Sequence, residues 1–212
     1  KNADRILAEV GVEVRNDPPS LELFQQAGAD IKGDRVRFEP GFCKSLILES
    51  APNEYFQRAR NPKYSVNFGK NNMVFSPGYG APFVRSFEEP RRYARLCDFE
   101  NIVKLAHISP YFHHTGGTVC EPTDINPSKR HLDMNLAHII YSDKPYMGTV
   151  TSEDSALDSI KMCEIVFGEK FLNNNCCIMG LINLNSPLVL DGTMLAALRT
   201  YASANQCCVI TP

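Results

Sequence analysis

Along the chain, short runs of consecutive apolar residues alternate with longer segments whose apolar positions recur every three or four residues. The runs are NMVFSPG around Val74, YFHHTGGTV around Phe112, PYMGTV around Tyr146, CCIMGLI around Cys177 and CCVITP around Cys208. Their centres lie roughly 30 to 40 residues apart, the length of a strand-helix unit. Between them, Leu96, Phe99, Val103 and Ala106 share one helical face. So do Leu132, Leu136, Ile139 and Ile140, then Ala156, Ile160, Cys163 and Phe167, then Leu195, Leu198 and Ala202. Helix-start chemistry falls where the periodicity needs it. Asn126 precedes Pro127, Ser152 precedes Glu153 and Asp154, Asp191 opens the last helix, and Gly168 can end the third. Short apolar strands bounded by amphipathic helices predict a parallel sheet covered by helices. A (β/α)8 TIM-type barrel is the leading architecture and a doubly wound sheet the second.

Residues 1–70 break the rhythm. ADRILAEVGVEV, PPSLELFQQAGADIKGDRVRFEP and GFCKSLILESAP read as three short helices with an interposed DRVRF strand, and YSVNFGKNNMVFSPG as a hairpin through Gly69, Lys70, Asn71 and Asn72. The expected organisation is a helical lead-in with hairpin over 1–70, continuous with about five βα units of a barrel over 71–212.

Composition narrows the function. With 22 Lys and Arg against 24 Asp and Glu, the formal net charge is −2, and the basic residues never cluster beyond EPRRYAR. That leaves no electrostatic footprint for nucleic acid. No apolar run approaches the ~18 residues of a membrane span, and KNADRILAEV is charged where a signal peptide is apolar, so a cytoplasmic location is expected. The eight cysteines include the doublets Cys176-Cys177 and Cys207-Cys208 and no CxxC, which favours reduced, structural thiols over a disulfide framework or a zinc ribbon.

In a barrel, chemistry gathers at the carboxyl ends of the strands. There the chain is small and polar: SPGYGAPF, HHTGGTVCEPTDINPS, TVTSED, NLNSP and TP. Asn183, Asn185 and Ser186 are therefore candidates for lining a shared mouth, against the alternative that NLNSP is ordinary turn chemistry. His113 and His114 are adjacent on an expected strand and face opposite sides, and no HxH or HExxH spacing occurs, which disfavours a metal site. Either histidine remains a candidate to hydrogen-bond a substrate carboxylate or carry a proton. Neither Gly78-Tyr79-Gly80 nor Gly116-Gly117 completes a phosphate-binding motif.

FSPGYGAPFV, DINPSKRHLDMNLAHIIYSDKPYMG and GLINLNSPLVLDGTMLAAL resemble the trimethylamine methyltransferase family over essentially the whole chain. The resemblance implies a barrel that delivers a methyl group from a methylated amine, trimethylamine or a quaternary amine such as glycine betaine, to the cobalt of a corrinoid carried by a separate protein. It implies a homo-oligomer, no cofactor bound by this chain itself, and a longer protein in which the family's pyrrolysine position lies beyond CCVITP, so this stretch alone is expected to be inactive. A quaternary ammonium has no N–H to donate and is held by aromatic faces and carboxylates. For that role the candidates are Tyr79 and Phe83, with Tyr111 and Phe112 behind them, and the carboxylates Glu121, Asp124 and Glu153. The alternatives are a metal-assisted barrel hydrolase or lyase, and a non-catalytic betaine-binding module.

Overall fold

A computed structural model describes residues 2–211. The lead-in starts with a helical turn, α1 (Asn2–Arg5), that continues as a wider turn over Ile6–Val10. Strand β1 (Val12–Arg15) follows, with Val12 and Val14 buried and Arg15 exposed, the alternation of a half-buried strand. Gly11 at the bend has φ +74°, and a Cβ there would stand 2.3 Å from the Val36 carbonyl oxygen, so only glycine fits. Helix α2 (Pro18–Gln26) opens on prolines that need no amide partner. Strands β2 (Asp30–Lys32) and β3 (Arg35–Arg37) form a hairpin, and α3 (Phe42–Ser50) completes the three expected helices. The VEVR strand within the first expected helix is a correction: its alternating valines pair with β3, placing Val12 opposite Val36.

The expected hairpin is also corrected. Strand β5 (Val66–Gly69) pairs antiparallel with β4 (Glu54–Gln57), which precedes it, and not with the residues after the turn. Two further short strands, β6 (Phe83–Val84) and β7 (Arg92–Tyr93), make a small hairpin of their own.

The four amphipathic segments are all helical: α4 (Leu96–Ile108), α5 (Arg130–Tyr141), α6 (Glu153–Phe167) and, after the short α7 (Glu169–Asn174), α8 (Gly192–Ser203). Ser152 caps α6 by accepting the Ser155 N–H at 3.0 Å, Asp191 caps α8 through the Met194 N–H at 3.0 Å, and Gly168, at φ +84°, ends α6. Asn126 differs from expectation. It accepts the Ser128 N–H at 3.0 Å within a turn, and α5 begins only at Arg130.

Three of the five expected strands form a parallel sheet in the order β11 (Cys207–Thr211), β9 (Ile178–Asn183), β8 (Tyr146–Met147). The runs at Val74 and Phe112 are not strands. Pro77, Pro82 and Pro110 lack amide donors, and the two histidines intercept others: the Phe75 N–H donates to His113 Nδ1 at 3.1 Å and the Gly116 N–H to His114 Nδ1 at 2.9 Å. These segments still lie alongside the sheet in chain order. Thr115 N–H donates to Pro145 O at 3.0 Å and Met147 N–H to Gly116 O at 2.8 Å, while Gly80 N–H donates to Thr118 O at 2.7 Å and Ala81 bridges Cys120 in parallel. The result is a mixed helix-and-strand fold with small sheets. No closed barrel is present among the described residues, and none of their helices is long and apolar enough to cross a membrane.

The main core lies between the parallel sheet and the helices. Tyr146, Ile178 and Ile182 meet Ala156, Cys163, Ala197 and Tyr201. Tyr201 fits there because Gly148 and Gly180 leave room: a Cβ at Gly180 would stand 2.8 Å from its ring, and one at Gly148 2.2 Å from its hydroxyl. A second core joins α4, α5, Val119 and Cys120, and a third belongs to the lead-in and Leu195. Two of the ties between the lead-in and the rest matter most here. Strand β10 (Val189–Asp191) pairs in parallel with β1, setting Val14 opposite Leu190. Gln57, fully buried at the end of β4, donates from Nε2 to Tyr146 O at 2.9 Å and Cys177 O at 3.3 Å.

Candidate functional site

The carboxyl ends of β9 and β11 carry the first group of expected site residues. On β9, Ile178 and Ile182 pack into the core and Gly180 against Tyr201, so Met179, Leu181 and Asn183 lie on the opposite face. Asn183 sits in register with Thr211, whose hydroxyl donates to Asn183 Oδ1 at 2.7 Å. Both stand at the strand ends, with Asn183 exposed. Asn185 belongs to a tight turn. It exchanges both backbone hydrogen bonds with Val189 around a cis Ser186-Pro187 bond, and its side-chain amide donates to Asp191 Oδ2 at 2.6 Å, supporting the α8 cap. Ser186 is exposed at the tip of that turn.

A second group surrounds a cavity of about 230 Å³ among the loops that follow the Phe112 segment and β8. Thr118, Glu121, Arg130, His131, Thr149 and Thr151 line it. Thr118 donates to the Tyr79 hydroxyl at 3.4 Å, and Gly117 lets the Tyr79 ring approach, since a Cβ there would meet the ring at 2.9 Å. The Tyr79 side chain is partly exposed. Glu121 accepts a hydrogen bond from Arg130 Nη1, and His131 Nε2 lies 2.7 Å from Asp158 Oδ2. Arg130 Nε is buried and lacks a hydrogen-bond partner, an orphan donor beside an open cavity. Of the expected site residues, Glu121 lines this cavity, and Tyr79 is linked to it through Thr118.

The other candidates do not line this cavity. Phe83 lies in the β6–β7 hairpin with its ring 4.7 Å from Tyr93 and the Arg91 guanidinium 3.8 Å above its centre, so a cation already occupies its face. Asp124 Oδ1 accepts the Leu96 N–H at 2.9 Å and serves the start of α4. Glu153 stands exposed in the first turn of α6, Tyr111 is exposed, and Phe112 presents its carbonyl to Lys144 at 2.7 Å. His113 stacks on Phe75 with centroids 5.9 Å apart. His114 is buried. Its Nδ1 accepts from Gly116, so Nε2 carries the proton and donates to Gln57 Oε1 at 3.2 Å. Burial, aided by the neighbouring His138, holds its pKa down to about 3. His138 is equally enclosed, between the Thr115 hydroxyl at 2.9 Å and the Gly117 carbonyl at 3.0 Å, and burial lowers it to about 4. Both are neutral at physiological pH. Among the described residues, no group of three His, Cys, Asp or Glu is placed to hold a metal ion.

Sequence reasoning missed Arg130, Thr118, Thr149 and Thr151. Arg130 follows directly on the quoted NPSK turn, but its significance depends on meeting Glu121 across a loop.

Against known proteins, the family described as Trimethylamine methyltransferase (MTTB) matches over residues 1–212. The chain belongs to the trimethylamine methyltransferase family. It is similar to the Glycine betaine methyltransferase of Desulfitobacterium hafniense (strain Y51), with 41% identity over 211 residues covering 99% of this chain and 44% of the relative. The chain therefore spans less than half the length of the curated relative it matches.

Proposed function

We propose that this chain is part of a methyltransferase that takes a methyl group from a methylated amine, a betaine such as glycine betaine in preference to an uncharged amine, and passes it to the cobalt of a corrinoid protein. The observation that carries the substrate assignment is the cavity bordered by Glu121 and Arg130, whose Thr118 donates to the Tyr79 hydroxyl. A betaine has a permanent cation and a carboxylate a few bonds apart. The Tyr79 face and Glu121 suit the first, and the unpartnered Arg130 Nε suits the second.

The corrinoid is proposed to be carried by a separate partner protein, a reading that rests on the family to which the chain belongs. When bound, it supplies a low-valent metal nucleophile for the methyl carbon. This chain's own residues have other work. They orient the amine, strip water from its cation and keep its carboxylate pointed away from the reacting end, which lowers the barrier through positioning and needs no nucleophilic side chain. The chain-order run of parallel segments supports a reading as an arc of a (β/α)8 barrel whose mouth is this site. Exposed Leu105, Ile108, Leu136 and Ile140 on α4 and α5 support association between copies, and the cytoplasm is the compartment proposed for the protein.

The test is to incubate full-length protein with a reduced corrinoid protein and either glycine betaine or trimethylamine, following methylcobalamin formation by absorbance. Formation with betaine is expected, and none with any methylated amine would refute the reading. Tyr79→Ala should weaken binding of glycine betaine about 5-fold or more, the value of a partly exposed cation-π contact, with little loss for a neutral isostere. Equal loss for both would assign Tyr79 to packing.

A further inference from the structure

At the opposite end of the parallel sheet from the mouth lies a group of thiols with no part in the proposed transfer. Cys176 immediately precedes the buried Cys177 and bridges Gln57, and Cys207 is the first residue of β11, the neighbour of β9. Their side chains meet, and Tyr55 of β4 reaches Cys207 as well. All three border one open cavity of about 430 Å³ together with Asn174, Asn205 and Cys208. Both thiols are partly exposed and unbridged. A second thiol contact, Cys163 with Cys177, is sealed in the core against Tyr146, so the two pairs differ in access.

We propose that Cys176 and Cys207 are a dithiol site that exchanges with small-molecule disulfides and closes into an intramolecular disulfide. The roles of the two thiols follow from their surroundings. Cys207 is lowered to about 7 by the hydrogen bond from Cys176, with Tyr55 adding to it against the effect of burial, and is the attacking thiolate. Cys176, raised by the same contact and by burial, is the resolving thiol. In the first step the Cys207 sulfur attacks one sulfur of oxidised glutathione, the S–S bond breaks, and one glutathione leaves as thiolate and takes up a proton. In the second, the Cys176 sulfur loses its proton and attacks Cys207, expelling the other glutathione. Two protein thiols are oxidised and one small disulfide is reduced to two thiols. The cavity admits the first partner, and the contact between the sulfurs makes the second step intramolecular.

The experiment treats the folded protein with oxidised glutathione near neutral pH, quenches with acid and maps the unreduced peptides by tandem mass spectrometry. Expected are loss of three free thiols, two of them in a cross-linked peptide joining Cys176 to Cys207 and one in a mixed disulfide at the exposed Cys97. The same cross-link should form in a Cys177→Ser, Cys208→Ser protein, which excludes the adjacent cysteines. Cys176→Ser should stop Cys207 at the glutathione adduct. If that variant does not fold, the cross-link in the parent protein decides alone. Absence of the cross-link, whether the thiols stay free or Cys207 retains glutathione, overturns the proposal, and neither outcome bears on methyl transfer.

Discussion

Gln57 is a buried amide whose every polar atom is used, and replacing it should loosen the joint between the lead-in and the parallel sheet. Because His114 Nδ1 accepts from Gly116, Nε2 must donate, so Gln57 Oε1 accepts and Nε2 is left to serve Tyr146 O and Cys177 O. Gln57→Leu keeps most of the volume and removes all three hydrogen bonds. At about 1 kcal/mol net for each, with a further penalty for the stranded His114 N–H, the loss is about 3 to 5 kcal/mol. For a chain of this size that corresponds to roughly 6 to 20 °C in Tm. In urea, where m is about 2 kcal/mol/M, it corresponds to a midpoint lowered by about 1.5 to 2.5 M. Urea titrations followed by circular dichroism measure it, with the slope checked for constancy. Gln57→Glu should be no better than Gln57→Leu, since a carboxylate oxygen would face two carbonyls. A Gln57→Leu unfolding free energy within ~0.5 kcal/mol of the parent would show that these bonds do not hold the joint.

The buried imidazoles give stability a pH dependence. Their folded pKa values, about 3 for His114 and about 4 for His138, lie below the unfolded value near 6.5, so the unfolded chain takes up protons first as pH falls. Stability should be fully present above about pH 6.5 and decline toward pH 4, by on the order of 3 kcal/mol for each histidine, and His138→Gln should flatten the slope. A flat profile between pH 7 and 5 would contradict their burial as neutral groups. Gly180→Ala should cost about 1 to 3 kcal/mol by pressing a methyl into the Tyr201 ring. The penalty should shrink in a Tyr201→Leu background, and strict additivity in that cycle would refute the contact.

The helices were legible because each carries its own signal. The apolar faces of α4, α6 and α8, the Ser152 and Asp191 caps and Gly168 are all local features, whereas α5 buries Met134, Asn135, Ala137 and His138 and leaves Leu136 and Ile140 of its expected face exposed. Strands β8, β9 and β11 were legible for the same reason. The failures near Val74 and Phe112 came from side chains that compete with the ladder: imidazoles take amide protons that a neighbouring strand would have used. At the site, Asn183 could be placed by alternation along β9. Asp124 could not be recognised as a cap, because the amide it accepts belongs to Leu96, on a different unit. Arg130 escaped notice because only the folded loops bring it to Glu121.

The pairing of β1 with β10 bears on how the chain is made. Val14 acquires its parallel neighbour only when Leu190 has left the ribosome, so the hairpin of β2 and β3 can form early while one edge of β1 waits through most of synthesis. A waiting strand edge is a template for the wrong partner. Arg15 and Glu13, which form an ion pair along that edge, place charge on it during the interval. Slowing translation before residue 189 should therefore lengthen the nascent chain's dependence on chaperones.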